Sequence, residues 1–379
     1  PFLYLPAGVD LDVAVAPENS TSANDAIANF SVNFDNGKTY TVMAGGIVGD
    51  PDNPFTLYVN DAAREFASNP DLFEFNVAHG SPDAPAVDVV ERFAGSLFEN
   101  VAFGDFTDYI GVTPDLYFID IKPAGSSDIV QTYLAPLGGL DGFAGTVFAS
   151  GLLGGDPGFG LFVAFPDGQV GELPAQAIAI AQVVHNSPEP TVDVYINDDL
   201  PGVLDNFEFR TATPFLILPA ETPLTVSVAP ENSTSPASAI FSTAVTLDNG
   251  GQYMIMASGV VGDPTTPFDL FVNPTARIEG TSATDVDFNI FHGSPDAPAV
   301  DVVANGSSTL AEDLAFGQYS DYVSVPGQTY FIDILPAGSS DIVETYVADL
   351  TGLEGFAFNV MASGNLGGSP DFGLYVVFP

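Results

Sequence analysis

Short segments in which apolar and polar residues alternate recur along the whole chain. Leu11–Val15 and Tyr330–Ile334 are two examples, and a period of two residues is the pattern of a half-buried β-strand. The 38 glycines and 31 prolines are spaced so that few stretches are long enough for an α-helix. The pattern therefore predicts an all-β protein.

The segment from residue 71 to residue 166 shows how these strands follow one another. Turn sequences such as Ser81-Pro82-Asp83 and Gly155-Asp156-Pro157 separate them. Seven strands are predicted, near Phe73–His79, Ala86–Val90, Leu97–Phe103, Leu116–Ile121, Ile129–Leu134, Ala144–Ala149 and Phe159–Phe165. Seven short strands in about a hundred residues are typical of an immunoglobulin-like β-sandwich.

The same sequence blocks return at fixed distances. His79–Val90 and His292–Val303 are identical, at an offset of 292 − 79 = 213 residues. A diverged copy of the block begins at His185, 185 − 79 = 106 residues after His79. A fixed period indicates a repeat architecture, so the chain is predicted to hold four modules of alternating type.

We expect four β-sandwich modules: A at residues 1–66, B at 71–166, A′ at 177–275 and B′ at 285–379. Module A is truncated, because Pro1–Leu3 matches Pro214–Leu216 and nothing in it corresponds to residues 183–197. Polar segments are expected to join the modules stiffly, at Asp61–Asp71, Asp167–Gln176 and Ala276–Asp285.

The charge balance is strongly acidic. The chain has 49 Asp and Glu against 6 Lys and Arg, a net charge of −43, so nucleic acid and anionic membranes should repel it. It has no Cys, and no apolar run is long enough to span a bilayer. This profile suits a soluble extracellular or cell-surface protein, and a cleaved signal peptide would not be visible. The acidity fits either a solvated surface or calcium sites.

The His-x-Ser-Pro block is the main candidate site. In a functional interpretation, each histidine joins nearby carboxylates as a metal or ligand pocket, with Asp83, Asp88, Asp296 and Asp301 as candidate ligands. In a structural interpretation, each histidine ends a strand and its ring is bonded to the backbone of the following turn. One histidine per module is too few for a typical zinc site, which favours the structural interpretation.

Catalytic chemistry is not indicated. The chain has no Cys nucleophile and no Gly-x-Ser-x-Gly elbow. No helix follows Ala149-Ser150-Gly151, as a phosphate cradle would require, so this block is predicted to be a strand end and turn. We therefore expect no enzyme and no catalytic or cofactor-binding residues.

The motif Val77–Val89, with the aromatic strand Tyr117–Ile121 and the block Ala149–Gly151, resembles the domain of unknown function 4397. The resemblance extends over all four modules and is strongest in modules B and B′. It implies tandem secreted or cell-surface β-domains in bacteria and archaea. No catalytic residues come with it.

These observations predict an extracellular structural or adhesive repeat protein, such as a filament or surface-layer subunit. A sandwich without its first two strands exposes strand edges, and a neighbouring copy could supply them head to tail. If residues precede Pro1 in the natural chain, they would remove the defect. The alternative is a carbohydrate- or ligand-binding array, with aromatic platforms at Tyr109, Tyr133, Tyr322 and Tyr346.

Overall fold

The computed structural model describes residues 2–188 and 190–379. It divides into two compact units, Pro1–Ala177 and Ile178–Pro379, so that each unit contains one module of each type. The regular structure of the described residues is β-strand apart from three single-turn 3₁₀ helices, Ala23–Asp25, Gly202–Leu204 and Pro236–Ser238. The predicted all-β fold with tandem sandwich modules is confirmed, while the immunoglobulin-like topology stays a prediction.

Module B is a sandwich of two sheets. Its strands are β5 (Phe73–His79), β6 (Val87–Glu91), β7 (Gly95–Val101), β8 (Ile110–Val112), β9 (Leu116–Pro123), β10 (Gln131–Pro136), β11 (Ala144–Ser150), β12 (Gly160–Ala164) and β13 (Val170–Leu173). One sheet has the order β10-β9-β6-β7 and the other β13-β12-β11-β5-β8, in which β11 and β5 are parallel. Apolar residues of both sheets, among them Phe75, Val89 and Ile121, form the core between them.

Module A′ has the same plan with a smaller second sheet. Its strands are β14 (Ile178–Asn186), β15 (Val192–Ile196), β16 (Thr211–Ala212), β17 (Leu216–Pro219), β18 (Leu224–Pro230), β19 (Phe241–Val245), β20 (Gln252–Ser258) and β21 (Asp269–Asn273). β14 lies parallel to β20 and pairs on its other side with β16 and β17. The second sheet has the order β15-β18-β19.

Module B′ repeats module B. Its strands are β22 (Asp285–His292), β23 (Val300–Ala304), β24 (Ser308–Leu314), β25 (Val323–Pro326), β26 (Thr329–Pro336), β27 (Glu344–Asp349), β28 (Ala357–Ser363) and β29 (Gly373–Val377). The sheets have the orders β25-β22-β28-β29 and β24-β23-β26-β27. Within this unit, Met254 and Met256 of A′ pack against Phe291 and Met361 of B′ in one buried cluster.

Module A contains two separate hairpins. Their strands are β1 (Asp10–Val15), β2 (Ala28–Asn33), β3 (Thr41–Gly45) and β4 (Thr56–Asn60). β1 pairs with β2, and β3 pairs with β4. At the offset of 213 residues, β1 corresponds to β18 and β3 to β20. In the described part of module A no strand takes the places of β14 and β15.

Candidate functional site

The His-x-Ser-Pro block forms the same buried corner in each module that has it. The three histidine side chains are only 1–2% exposed. Each ring Nε2 lies within hydrogen-bond distance of a proline carbonyl, at 3.1 Å for His79 and Pro85, 2.9 Å for His185 and Pro190, and 3.0 Å for His292 and Pro298. The bond from ring to turn backbone is the one that the structural interpretation predicts.

The serine of the block ties the corner to a neighbouring strand. Ser81 Oγ donates to the Gly151 carbonyl at 2.8 Å, just beyond the end of β11. The equivalent bonds are 2.7 Å long, from Ser187 to Gly259 and from Ser294 to Gly364. Because β5 and β11 are parallel neighbours, this bond joins the ends of two adjacent strands.

Gly151 can only be glycine at this place. Its φ is +88°, and a Cβ there would lie 2.1 Å from the Gly158 carbonyl oxygen. A side chain would therefore meet both backbone strain and a direct clash. The block Ala149-Ser150-Gly151 ends a strand and enters a turn, as predicted.

The four candidate aspartates accept hydrogen bonds from backbone N–H groups. Asp83 accepts from Leu153 N at 3.0 Å, and Asp296 accepts from Leu366 N at 2.8 Å. Asp88 accepts from Asn100 N and Gly125 N, both at 2.8 Å. Asp301 does the same with Asp313 N and Gly338 N, both at 2.8 Å.

In Asp88 and Asp301 these bonds stabilise the charged form of the carboxylate. The backbone N–H of Asn100 and then that of Gly125 lower the pKa of Asp88 below its usual value. The N–H groups of Asp313 and Gly338 lower the pKa of Asp301 in the same way. Within residues 2–188 and 190–379, no three His, Asp or Glu side chains are grouped to hold a metal ion. The aspartates serve here as acceptors that fix turns.

In each unit an arginine near the module connection pairs with a carboxylate in the first strand of the second module. Arg277 of the A′–B′ connection pairs with buried Asp287 at 2.5 Å, and its guanidinium lies 4.4 Å from the Tyr322 ring centre. In the first unit Arg64 pairs with buried Glu74 and lies 4.8 Å from the Tyr109 ring centre. The rings of Tyr109 and Tyr322 therefore carry an arginine on one face.

Hydrogen bonds to neighbouring groups stabilise the charged form of the Glu74 carboxylate. Burial alone would raise its pKa, but hydrogen bonds from Ser68, Arg64 and Asn69 outweigh burial and lower the pKa from 4.5 to about 2. The buried carboxylate is thus a fixed charge at the joint between modules A and B.

The other two candidate platforms differ from each other. Tyr133 is only 3% exposed, and burial raises its pKa to about 12. Tyr346 is half-buried and faces the interior of module B′. Neither presents an open aromatic face of the kind that stacks on a sugar.

A groove of about 230 Å³ lies where module A meets module B. It is lined by Thr41 and Val42 of β3 and by Thr146 and Phe165 of module B. In the second unit the residue equivalent to Phe165 is Phe378, whose carbonyl accepts from Gln182 of β14 at 2.7 Å. The groove therefore corresponds to the place that β14 fills in the A′–B′ pair.

The exposure of equivalent side chains also shows that β3 is uncovered at the groove, whereas β20 is covered by β14. Val42 is 42% exposed, whereas its counterpart Ile255, beside β14, is 5% exposed. The groove thus combines an open strand edge with uncovered apolar side chains.

One family model, that of a domain of unknown function (DUF4397), matches residues 1–90, 73–153, 179–284 and 286–377. The chain belongs to the DUF4397 family. The resemblance that rests on Val77–Val89 is thereby confirmed.

The DUF4397 modules have no significant match among curated proteins. Among solved structures, the Bacillus anthracis TIE protein is similar at 8% identity, over 94% of this chain and 69% of that one, with a TM-score of 0.16. A score this low informs neither fold nor function.

Some residues with a structural role in these DUF4397 modules were not among the candidates predicted from the sequence. Asp193 repeats the role of Asp88, accepting from Asn206 N at 2.8 Å and Ser233 N at 2.7 Å. The sequence alignment by the final Val-Asp-Val already pairs Asp193 with Asp88, but Asp193 was not among the candidate ligands. Arg64 and Arg277 were also missed, although they are exactly one repeat apart at the rare basic positions of an acidic chain.

Proposed function

We propose that this DUF4397 chain is an extracellular structural or adhesive repeat protein that assembles by strand addition. The observation that carries the proposal is the groove between modules A and B, which Thr41 and Val42 of β3 line. Among the described residues, β1 pairs with β2 alone. The proposal gives the chain no reaction to catalyse. In this proposal the acidic surface is exposed to water and binds neither nucleic acid nor anionic lipid.

Module A′ indicates what the groove would accept. There β14 pairs with β20 in parallel, and β15 pairs with β18 antiparallel. A donor would present the same pattern as residues 178–196, with apolar residues towards the core and backbone groups towards β1 and β3.

β14 and β15 are already paired within module A′, so the proposed donor is a second segment with the same pattern. We propose that copies of the chain assemble head to tail, as the subunits of a filament do. A heterologous contact of this kind grows without closing when the rotation between copies does not form a ring.

The four arginines are engaged by contacts within the chain, which leaves few basic groups to bind a polyanion. Arg92 forms a buried ion pair with Asp120 at 2.5 Å, and Arg210 donates to Ser363 Oγ at 3.0 Å and to the Asp371 carbonyl at 2.6 Å. With Arg64 and Arg277 at the joints, all four arginines serve internal contacts. In the described residues, no helix is long and apolar enough to cross a membrane.

Electron microscopy of the native protein, combined with its intact mass, tests the proposal. We expect filaments or a lattice whose subunit contains residues 1–379 and whose contact includes module A. A preparation that contains only monodisperse monomers would refute assembly by strand addition.

Calcium is not part of the proposed assembly, because the oxygens of Asp83, Asp88, Asp296 and Asp301 accept backbone hydrogen bonds. We therefore expect that chelation with EDTA leaves the melting temperature unchanged. A clear drop that added Ca²⁺ reverses would instead establish calcium as a stabilising ligand.

A further inference from the structure

Module B encloses an apolar cavity between its two sheets. The cavity has a volume of about 310 Å³, and its walls include Phe75, Val89, Ile121, Ala135 and Leu161. We propose that modules B and B′ each bind an uncharged apolar small molecule in this cavity. This site is separate from the groove at module A, and it does not depend on strand addition.

The cavity recurs in module B′, where its volume is about 430 Å³. Most wall residues of one cavity have their counterpart 213 positions away in the other, as with Phe75 and Phe288 or Ala135 and Ala348. Glu91 in the first cavity corresponds to Ala304 in the second, and the smaller side chain leaves more space. Two copies of one cavity indicate a retained feature of this module type.

Module A′ shows that the fold does not require the cavity. The equivalent space between its sheets is only about 30 Å³. Leu204, Leu224 and Leu247 line it, and each is at most 2% exposed. The same type of sandwich is therefore packed in one module and hollow in the other, although an apolar void forfeits packing contacts.

The hydroxyls of Tyr117 and Tyr330 and the carboxylate of Glu91 are already hydrogen-bonded. Tyr117 donates its hydroxyl to the Thr113 carbonyl at 2.7 Å, and Tyr330 donates to the Pro326 carbonyl at 3.0 Å. Glu91 accepts from Phe93 N at 2.8 Å and from Ala94 N at 2.6 Å. The tyrosine rings remain as apolar walls.

The walls decide the class of ligand. Of the described residues that line the two cavities, none is Lys, Arg or His, so an anionic head group would find no counter-charge in a chain of net charge −43. An apolar cavity of about 150 Å³ suffices for benzene. These larger cavities suit an uncharged molecule of about two aromatic rings, or a short alkyl chain.

Titration of the full chain with the neutral two-ring fluorophore 1-aminonaphthalene tests the proposal. We expect two bound molecules per chain, with the fluorescence blue shift of an apolar site. Ala135→Phe should remove one site and Ala348→Phe the other, while the double variant should bind none.

Control variants separate loss of the cavity from loss of the fold. Ala283→Leu, at an exposed position, should bind two molecules as the parent does. If a phenylalanine variant melts early, the smaller Ala135→Leu and Ala348→Leu changes replace it, and weakened binding at an unchanged melting temperature supports the proposal. No binding by the parent chain, or unchanged binding by the filled variants, would overturn it.

Discussion

At the scale of single residues, the side chains of the repeated motif are hydrogen-bonded within their own module. The histidine, serine and aspartate of each corner make their bonds to backbone groups of the same module, as in His79 to Pro85 and Ser81 to Gly151. Such bonds satisfy buried polar atoms that would otherwise cost free energy. These bonds give the repeated motif a structural role in each corner.

Replacing Gly151 by alanine tests the corner. Because the residue has a positive φ and its Cβ would clash with Gly158, the free energy of unfolding should fall by about 2 kcal/mol or more. Gly154→Ala is the matched control, since a Cβ there has no neighbour within 4 Å. Urea unfolding of both variants measures the difference, and equal stabilities would contradict the assignment.

The buried histidines predict a pH dependence. Burial lowers the pKa of His185 and His292 below the ordinary value of 6.5, partly offset by their proline carbonyls. Below about pH 6.5 the unfolded chain binds protons first, so stability should fall as the pH drops from there towards the lowered pKa values.

Urea unfolding at pH 7.5 and 5.5 measures this loss, and the His185→Gln, His292→Gln double variant should lose less stability than the parent between these pH values. An identical loss in both proteins would count against burial of neutral rings.

At the scale of elements, alternation and turn residues were sufficient to locate most strands of module B. All seven predicted strands are present, with their ends shifted by a few residues. The two that were missed, β8 (Ile110–Val112) and β13 (Val170–Leu173), are short, and β13 lies in the segment predicted to be a linker. Three or four residues are too few to show a period, and their pairing depends on partners distant in sequence.

The ion pair between Arg277 and Asp287, beside the connection between modules A′ and B′, predicts an effect on stability. Arg277→Met should cost about 3 kcal/mol in unfolding free energy, because it leaves the buried carboxylate of Asp287 without its counter-ion. Arg277→Lys should cost less, since it keeps the charge but loses the planar contact with Tyr322.

The exposed ion pair of Lys38 with Asp61 at 2.5 Å is the control, and Lys38→Met should change stability little. Equal effects of the Arg277→Met and Lys38→Met changes in urea unfolding would show that the joint is not held by the buried pair.

At the scale of the whole molecule, the sequence repeats predicted tandem copies of one β-sandwich domain, which the DUF4397 family model confirms. The repeats could not predict the groove between modules A and B. Nor could they predict the cavities between the two sheets of modules B and B′. Both properties depend on how two sheets pack in three dimensions, which the alternation of side chains does not encode. The equivalent positions Val77 and Val183, for example, are both valine, but only the first lines a large cavity.

The most direct test of strand addition is hydrogen–deuterium exchange of the full chain with and without a synthetic peptide of residues 178–196. The account predicts that the peptide slows exchange in β1 and β3, whose outer edges it would pair, while a scrambled peptide of the same composition does not. Unchanged exchange in Asp10–Val15 and Thr41–Gly45 at saturating peptide would contradict it.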